Sequence, residues 1–135
     1  MKIAEILKQY KRVTVVGISA NINRPSNWIS RYLQENQFEI IGVNPGLPKI
    51  QGIQVVATIQ EVPLPLEIVD VFRNSASIPS LLEELRPLKP AVIWLQPGAQ
   101  NPAAEEYARS LGIEVVSGNC IYEEHSKLQA LTTNN

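Results

Sequence analysis

Five short apolar runs, separated by stretches with helical periodicity, constrain the fold of this chain more than any other feature of its sequence. The first run, Val13–Val16, is rich in β-branched residues without polar alternation, which is typical of a strand buried on both faces. The five runs span residues 13–16, 38–43, 67–72, 91–95 and 113–116. Strands that alternate with helices predict a doubly wound α/β fold, a parallel sheet with helices on both faces. Right-handed crossovers predict the strand order 3-2-1-4-5, with a crevice between strands one and four.

Apolar residues at i, i+3, i+4 spacing predict the helices between these runs. Start and stop signals add Ser26 as the N-cap of the second helix, Thr58 as the cap of a single turn at 59–62, and Asn101 with Pro102 as the start of the fourth helix. Residues 47–57 are expected to form a loop and residues 131–135 a frayed end. Five helices are expected. They span residues 2–11, about 27–36, a range that starts at Ser77–Pro79 and ends before Pro87, 102 to about 112, and 121 to about 130.

Composition limits the function classes that the chain can serve. Its 135 residues predict one domain, and the 44% hydrophobic and 19% charged fractions are typical of a globular protein. The net charge of −1 argues against nucleic acid and membrane surfaces as partners. Without an apolar run of spanning length or a secretory leader, we expect a cytoplasmic protein. The single cysteine, Cys120, and single histidine, His125, exclude an internal disulfide and make a zinc site of these ligands very improbable.

The first βα junction has the features of a phosphate-binding site. Gly17 follows the apolar run Val13–Val16 and permits a sharp turn, and Ser26 is expected to begin the next helix. A strand, a glycine turn and a helix N-terminus together offer free N–H groups and the positive end of a helix dipole. The alternative is an ordinary tight turn without a ligand, because Ser19 replaces the second glycine of the dinucleotide fingerprint.

The residues that directly follow the predicted strands are small or polar, and none is a carboxylate. The second strand therefore lacks the acidic residue that binds a nicotinamide ribose, since Asn44 and Pro45 stand there. The set also lacks an acid–base pair, a nucleophile triad and a metal cluster, so binding without catalysis is expected. Three cations, Arg24, Lys49 and Arg73, can lie near the crevice and suit phosphate groups.

Six motifs in order resemble the small single-domain CoA-binding proteins, which are similar to the CoA-binding domain of the succinyl-CoA synthetase α subunit. The resemblance extends over about residues 3–128 and is carried by these segments: Val13–Ser19, Arg24–Ser26, Val43–Pro45, Val69–Arg73, Trp94–Gly98 and Cys120–His125. It implies a Rossmann-like domain that holds CoA or an acyl-CoA at the carboxyl edge of the sheet. It does not imply synthetase activity, because the phosphorylated histidine of the synthetase lies in a domain absent from this sequence.

The resemblance also implies roles for individual positions. The phosphates would meet Gly17, Ile18, Ser19 and the Arg24–Pro25–Ser26 turn, and Asn44 and Pro45 would line the nucleotide side. Phe72 and Arg73 would pack on the ligand and pair with it. Gln96, Pro97 and Gly98 would flank the pantetheine arm, with Cys120 nearby.

Three alternatives stay open at this point. Cys120 could form a mixed disulfide with CoA in a thiol redox sensor or small enzyme, although a lone cysteine is more often a buried, inert thiol. A generic dinucleotide binder is disfavoured by Asn44. The apolar N-terminal helix could cover the sheet or pair with a second copy in a homodimer. Trp28 and Trp94 are expected in the core rather than against a ligand.

Overall fold

The chain forms a parallel sheet with helices on both faces. The structure, a computed structural model, describes residues 1–46, 49–50 and 52–133. Within these residues the helices are α1 (Ile3–Gln9), α2 (Pro25–Glu35), α3 (Ile78–Leu85), α4 (Pro102–Ser110) and α5 (Ile121–Thr133). The strands are β1 (Arg12–Val16), β2 (Glu39–Val43), β3 (Lys49–Ile50), β4 (Ile53–Val56), β5 (Ile68–Val71), β6 (Val92–Leu95) and β7 (Glu114–Ser117).

The described strands lie in the order β3-β4-β2-β1-β5-β6-β7. Six of them are parallel, and β3 is a two-residue strand that pairs antiparallel with β4 at the edge. β1 lies at the centre, with Val15 opposite Gly42 of β2 on one side and Asp70 of β5 on the other. Along the chain, β2, β3 and β4 extend the sheet on one side of β1, and β5, β6 and β7 then extend it on the other side. The order therefore reverses between β1 and β5.

The predicted α/β class is correct, but the predicted count of five strands in the order 3-2-1-4-5 is wrong. Residues 53–56, expected within a loop, form β4 and occupy the position next to β2. The strand at residues 68–71, placed there by the sequence, instead pairs with β1. Gly52 and the brevity of the Ile53–Val56 run conceal this strand, since four residues after a glycine are also typical of a loop. The crevice lies accordingly between β1 and β5.

Two apolar clusters cover the two faces of the sheet. α3 and α4 cover one face, and the whole predicted apolar stripe of α3 is buried there: Ile78, Leu81, Leu82 and Leu85. α1, α2 and α5 cover the other face. Ile6 and Leu7 of α1 are fully buried in that second cluster, so the N-terminal helix covers the sheet.

The chain ends and loops differ from the expectations in detail. α5 continues to Thr133, past the expected end near residue 130, and residues 134–135 lie outside the described part of the chain. Leu47, Pro48 and Gln51 of the predicted loop also lie outside it. The Thr58 turn and the Asn101 cap form as predicted, each closed by a glutamate that accepts the cap residue's N–H. None of the described helices is long and apolar enough to cross a membrane.

Candidate functional site

The turn after β1 lies directly against the end of β5. Gly17 has a φ of +89°, and its N–H donates to the Val43 carbonyl at 3.0 Å. A Cβ at this position would collide with the Phe72 carbonyl oxygen and would stand 3.5 Å from Nε of Arg73. Glycine is therefore required here both by the backbone conformation and by the close approach of a neighbouring strand. Gly17, Phe72 and Arg73 therefore meet at one point of the carboxyl edge, a contact that the predicted strand order did not contain because it separated the first and third predicted strands.

Hydrogen bonds from α2 fix the loop between Gly17 and the helix. The Ser19 N–H donates to Oγ of Ser26 at 3.0 Å, and the Asn27 side chain donates to the Ser19 carbonyl at 2.8 Å. Arg31 in turn donates to the Asn27 side chain at 2.8 Å. The loop is held in one conformation by buried polar groups of the first helical turn, which is a requirement for a preorganised ligand contact.

The expectation that Ser26 is the N-cap of this helix is wrong. Arg24 is the N-cap and makes no side-chain cap hydrogen bond, and Pro25 occupies the first helical position. Ser26 lies inside the helix, and its hydroxyl serves the Ser19 N–H instead. Proline suits the first helical position because its missing N–H would have no partner there. The N-terminus of α2 is thus left without a side-chain cap, with its dipole directed at the loop.

Two of the predicted site residues serve the loop structure. Ile18 is fully buried, and its side chain packs against Gly42, so only its backbone can face a ligand. Asn44 donates from its side chain to the Ile18 carbonyl at 2.7 Å and ties the end of β2 to the loop after β1. Pro45, which follows, is exposed at the same edge of the sheet.

A cavity of about 360 Å³ opens at the carboxyl edge, between the ends of β5, β6 and β7 and the helices α2 and α5. Five residues predicted from the sequence lie on its wall: Pro25, Phe72, Gln96, Pro97 and Cys120. Gly98 follows Pro97 in an exposed turn with a φ of +100°. Residues after three different strands thus meet around one cavity of the volume that small-molecule sites have.

Four further wall residues were not named as site residues from the sequence: Trp28, Ile29, Tyr122 and Glu123. Trp28 was expected in the core, and it is half-buried and packs edge-on against Tyr122 at a centroid distance of 5.1 Å. The sequence did not indicate that Trp28 lines the cavity, because it belongs to the apolar stripe of α2. The periodicity of that stripe does not show which of its residues extend past the edge of the sheet. Trp94 is fully buried as expected, and its indole donates to the Asn119 carbonyl at 2.8 Å.

A buried carboxyl group lies beneath the cavity. Asp70 is 0% exposed, on the sheet face that α1, α2 and α5 cover, and neither of its oxygens has a hydrogen-bond partner among the described residues. Burial raises the pKa of Asp70 well above its usual range, and a contact with the Gln96 side chain opposes that rise. Gln96 accepts the Ile121 N–H at 3.2 Å, while its Nε2 has no acceptor within the described part of the chain.

Cys120 precedes α5 and is half-buried. Burial raises the pKa of its thiol, and the carboxylate of Glu123 adds to that rise, whereas hydrogen bonds from the backbone of Glu123 and Tyr122 oppose it. A thiol with a raised pKa holds less thiolate, which is the nucleophilic form. The environment therefore keeps Cys120 mainly as a thiol.

Exposed arginines supply positive charge at the carboxyl edge of the sheet. Arg24 and Arg73 are exposed, and neither guanidinium forms an ion pair with any residue that the structure describes. The Lys49 backbone lies in β3 at the sheet edge, and its side chain is outside the described atoms. Among the described residues no three side chains of the metal-ligating types come together.

The sequence and the fold both have known counterparts. The profile of the CoA binding domain family matches residues 11–126. The uncharacterized protein YneT of Bacillus subtilis is 35% identical over 125 residues, which cover 93% of each chain. A Thermus thermophilus protein, cell-free ID.343, is 32% identical with a TM-score of 0.88 and covers 93% of this chain and 95% of its own. A hypothetical protein from Pyrococcus horikoshii is 28% identical with a TM-score of 0.88 and covers 93% and 89%.

These matches extend over the strands, the Gly17 turn and the cavity alike. Because the profile spans most of the chain and the relatives match over nearly their whole lengths, the chain belongs to the CoA binding domain family.

Proposed function

We propose that this protein binds coenzyme A or an acyl-CoA at the carboxyl edge of its sheet and performs no chemistry on it. The observation that carries the proposal is a cavity on whose wall Phe72, Gln96 and Cys120 lie together, each just beyond the end of a different strand. Ligands of doubly wound sheets bind outside the carboxyl ends of the strands, at the point where the strand order reverses. Membership of the CoA binding domain family supports CoA as that ligand.

The two parts of the edge suit the two parts of CoA. The uncapped N-terminus of α2, the Gly17 turn and the exposed Arg24 and Arg73 offer N–H groups and positive charge to the phosphates. The neighbouring cavity has apolar walls that include Trp28 and Phe72, which suit the pantetheine arm. Asn44 and Pro45 lie at the end of β2, where the nucleotide would extend.

The test is isothermal titration calorimetry with CoA, 3′-dephospho-CoA and NAD. We expect micromolar binding of CoA, weaker binding without the 3′-phosphate, and still weaker binding of NAD. Arg73→Gln removes one charge-assisted contact and should weaken CoA about tenfold. Arg86→Gln, at the opposite edge of the sheet, is the matched control and should leave the affinity unchanged. If CoA does not bind, or if both variants lose equally, the proposal is wrong.

A second candidate is a CoA-linked thiol sensor, favoured by the position of Cys120 on the cavity wall. Its thiolate would attack oxidised CoA disulfide, forming a mixed disulfide with one CoA and releasing the other as its thiolate. The raised pKa of Cys120 slows such an exchange near neutral pH. Mass spectrometry after incubation with CoA disulfide would show an adduct of CoA mass, lost on reduction and absent from Cys120→Ser.

We further propose that the protein is cytoplasmic, that its ligand is a small molecule and that it has no nucleic-acid partner. Whether it forms a homodimer is tested by light scattering with and without CoA. A dimer formed through α1 would require its apolar residues to leave the sheet, because Ile6 and Leu7 are buried against it.

A further inference from the structure

Two buried side chains at the cavity have unused hydrogen-bonding capacity. Gln96 lies on the cavity wall and is 4% exposed, with no acceptor for Nε2 among the described residues. Asp70 is fully buried two residues before Phe72, on the same face of the sheet, and both of its oxygens lack partners in the described part of the chain. Buried polar groups are almost always paired, and the contact between Gln96 and Asp70 can use only part of the capacity of the two side chains, so the pair calls for a further partner.

The chemistry of the pair defines that partner. A carboxyl group buried without a cation is neutral, since an isolated buried charge is far more costly than a protonated acid. The Gln96 amide is oriented by its acceptance of the Ile121 N–H, so its Nε2 is the free end. When Nε2 donates to the carbonyl oxygen of the acid, the O–H of Asp70 remains as a donor. The site therefore needs a hydrogen-bond acceptor.

We propose that Asp70 and Gln96 bind the carbonyl oxygen of an acyl thioester, so that the protein selects acyl-CoA over CoA and its thioethers. This inference rests on the proposed function. The free thiol of CoA is a weak acceptor, whereas a thioester carbonyl oxygen accepts well. Apolar wall residues such as Ile29, Phe72 and Tyr122 leave room for a short acyl chain beside the carbonyl. Asp70 and Gln96 are then residues that determine specificity.

The direct test compares two ligands of nearly equal size on the unaltered protein. Propionyl-CoA carries the thioester carbonyl, and S-propyl-CoA carries a methylene in its place. We expect propionyl-CoA to bind about tenfold tighter by calorimetry, because the thioether leaves a buried donor unpaired. Equal affinities, with CoA itself binding, would overturn this inference and leave the proposed function intact. Failure of all three to bind would overturn both.

Variants of Asp70 assign the preference to the buried acid. Asp70→Asn retains a donor and should keep the preference for propionyl-CoA, whereas Asp70→Leu removes the donor and should abolish it. An Asp70→Leu protein that folds and keeps the full preference would contradict the inference.

A spectroscopic readout needs no change in affinity. The infrared C=O stretch of the protonated Asp70, identified by its loss in Asp70→Asn, should shift with propionyl-CoA and not with S-propyl-CoA. An identical spectrum with both ligands would count against the contact.

Discussion

Gly17 is expected to make a large contribution to the stability of the turn after β1. Alanine at this position would meet the Phe72 carbonyl oxygen and would also have to adopt a φ of +89°. We expect Gly17→Ala to lower the free energy of unfolding by about 3 kcal/mol or more, since the conformation alone costs about 1–2 kcal/mol. Urea denaturation measures the change.

Gly112 provides the matched control for that substitution. Its φ is +83°, but a Cβ there would meet nothing within 4 Å. Gly112→Ala should therefore show the conformational cost alone, about 1–2 kcal/mol. Equal losses for the two variants would mean that the close approach of β1 and β5 contributes nothing.

Asp70 makes stability depend on pH in a defined direction. Its pKa in the folded protein is raised above the unfolded value, so its contribution is fully present below about pH 4 and is lost as the pH rises through the folded pKa. Asp70→Asn cannot titrate. The free energy of unfolding of this variant relative to the native protein should therefore increase with pH, by at least about 1 kcal/mol between pH 4 and pH 8. A difference independent of pH would show that the buried acid does not titrate as described.

Single residues divide clearly into those that sequence reasoning could place and those it could not. Gly17 was found because a glycine after a buried strand has a specific steric meaning. The hydroxyl of Ser26 was assigned to the wrong partner, because a cap and a loop anchor have the same residue type and differ by two positions in the helix start. The importance of Asp70 was missed, since its burial depends on strands and helices distant in the chain.

At the scale of elements, α5 is connected to α2 by a partly buried hydrogen bond. The Tyr32 hydroxyl lies 2.7 Å from Nδ1 of His125, and the same imidazole packs edge-on against Phe38. Burial lowers the pKa of His125, and the nearby Lys11 ammonium lowers it further. Tyr122, on the cavity wall, packs against Tyr32, so this contact supports one side of the cavity.

The lowered pKa of His125 predicts acid sensitivity of this contact. The unfolded chain takes up the proton first, so the stabilisation is present above about pH 6.5 and is lost as the pH falls toward the folded pKa. Between pH 7 and pH 5 the native protein should lose more of its free energy of unfolding than His125→Asn, which does not titrate at this position. Denaturation curves at both pH values measure this, and parallel losses would refute it.

The elements themselves could largely be predicted, because each helix and five of the parallel strands follow from local periodicity and caps. β4 could not, because it has only four residues and directly follows Gly52, so the segment resembles a loop. Because β4 was omitted, the predicted strand order was wrong and the crevice was predicted beside the wrong strand. The residues that follow the strands still lie at the carboxyl edge, since every parallel strand presents its end there, whatever the order.

At the scale of the whole molecule, the sheet separates two edges of different character. The carboxyl edge holds the Gly17 turn, the exposed Arg24 and Arg73, and the cavity on whose wall Phe72 and Gln96 lie. The opposite edge holds the turns around Lys89 and Gly112. The proposed CoA-binding function requires that the ligand contact the carboxyl edge and not the opposite one.

The location of CoA binding is tested most directly by titrating the ¹⁵N-labelled protein with CoA and following the amide chemical shifts. We predict saturable shifts for Gly17, Ser19, Arg73 and Gly98 at the carboxyl edge, and unchanged amides around Gly112. Amides that stay unchanged at millimolar CoA, or shifts confined to the opposite edge, would contradict the account.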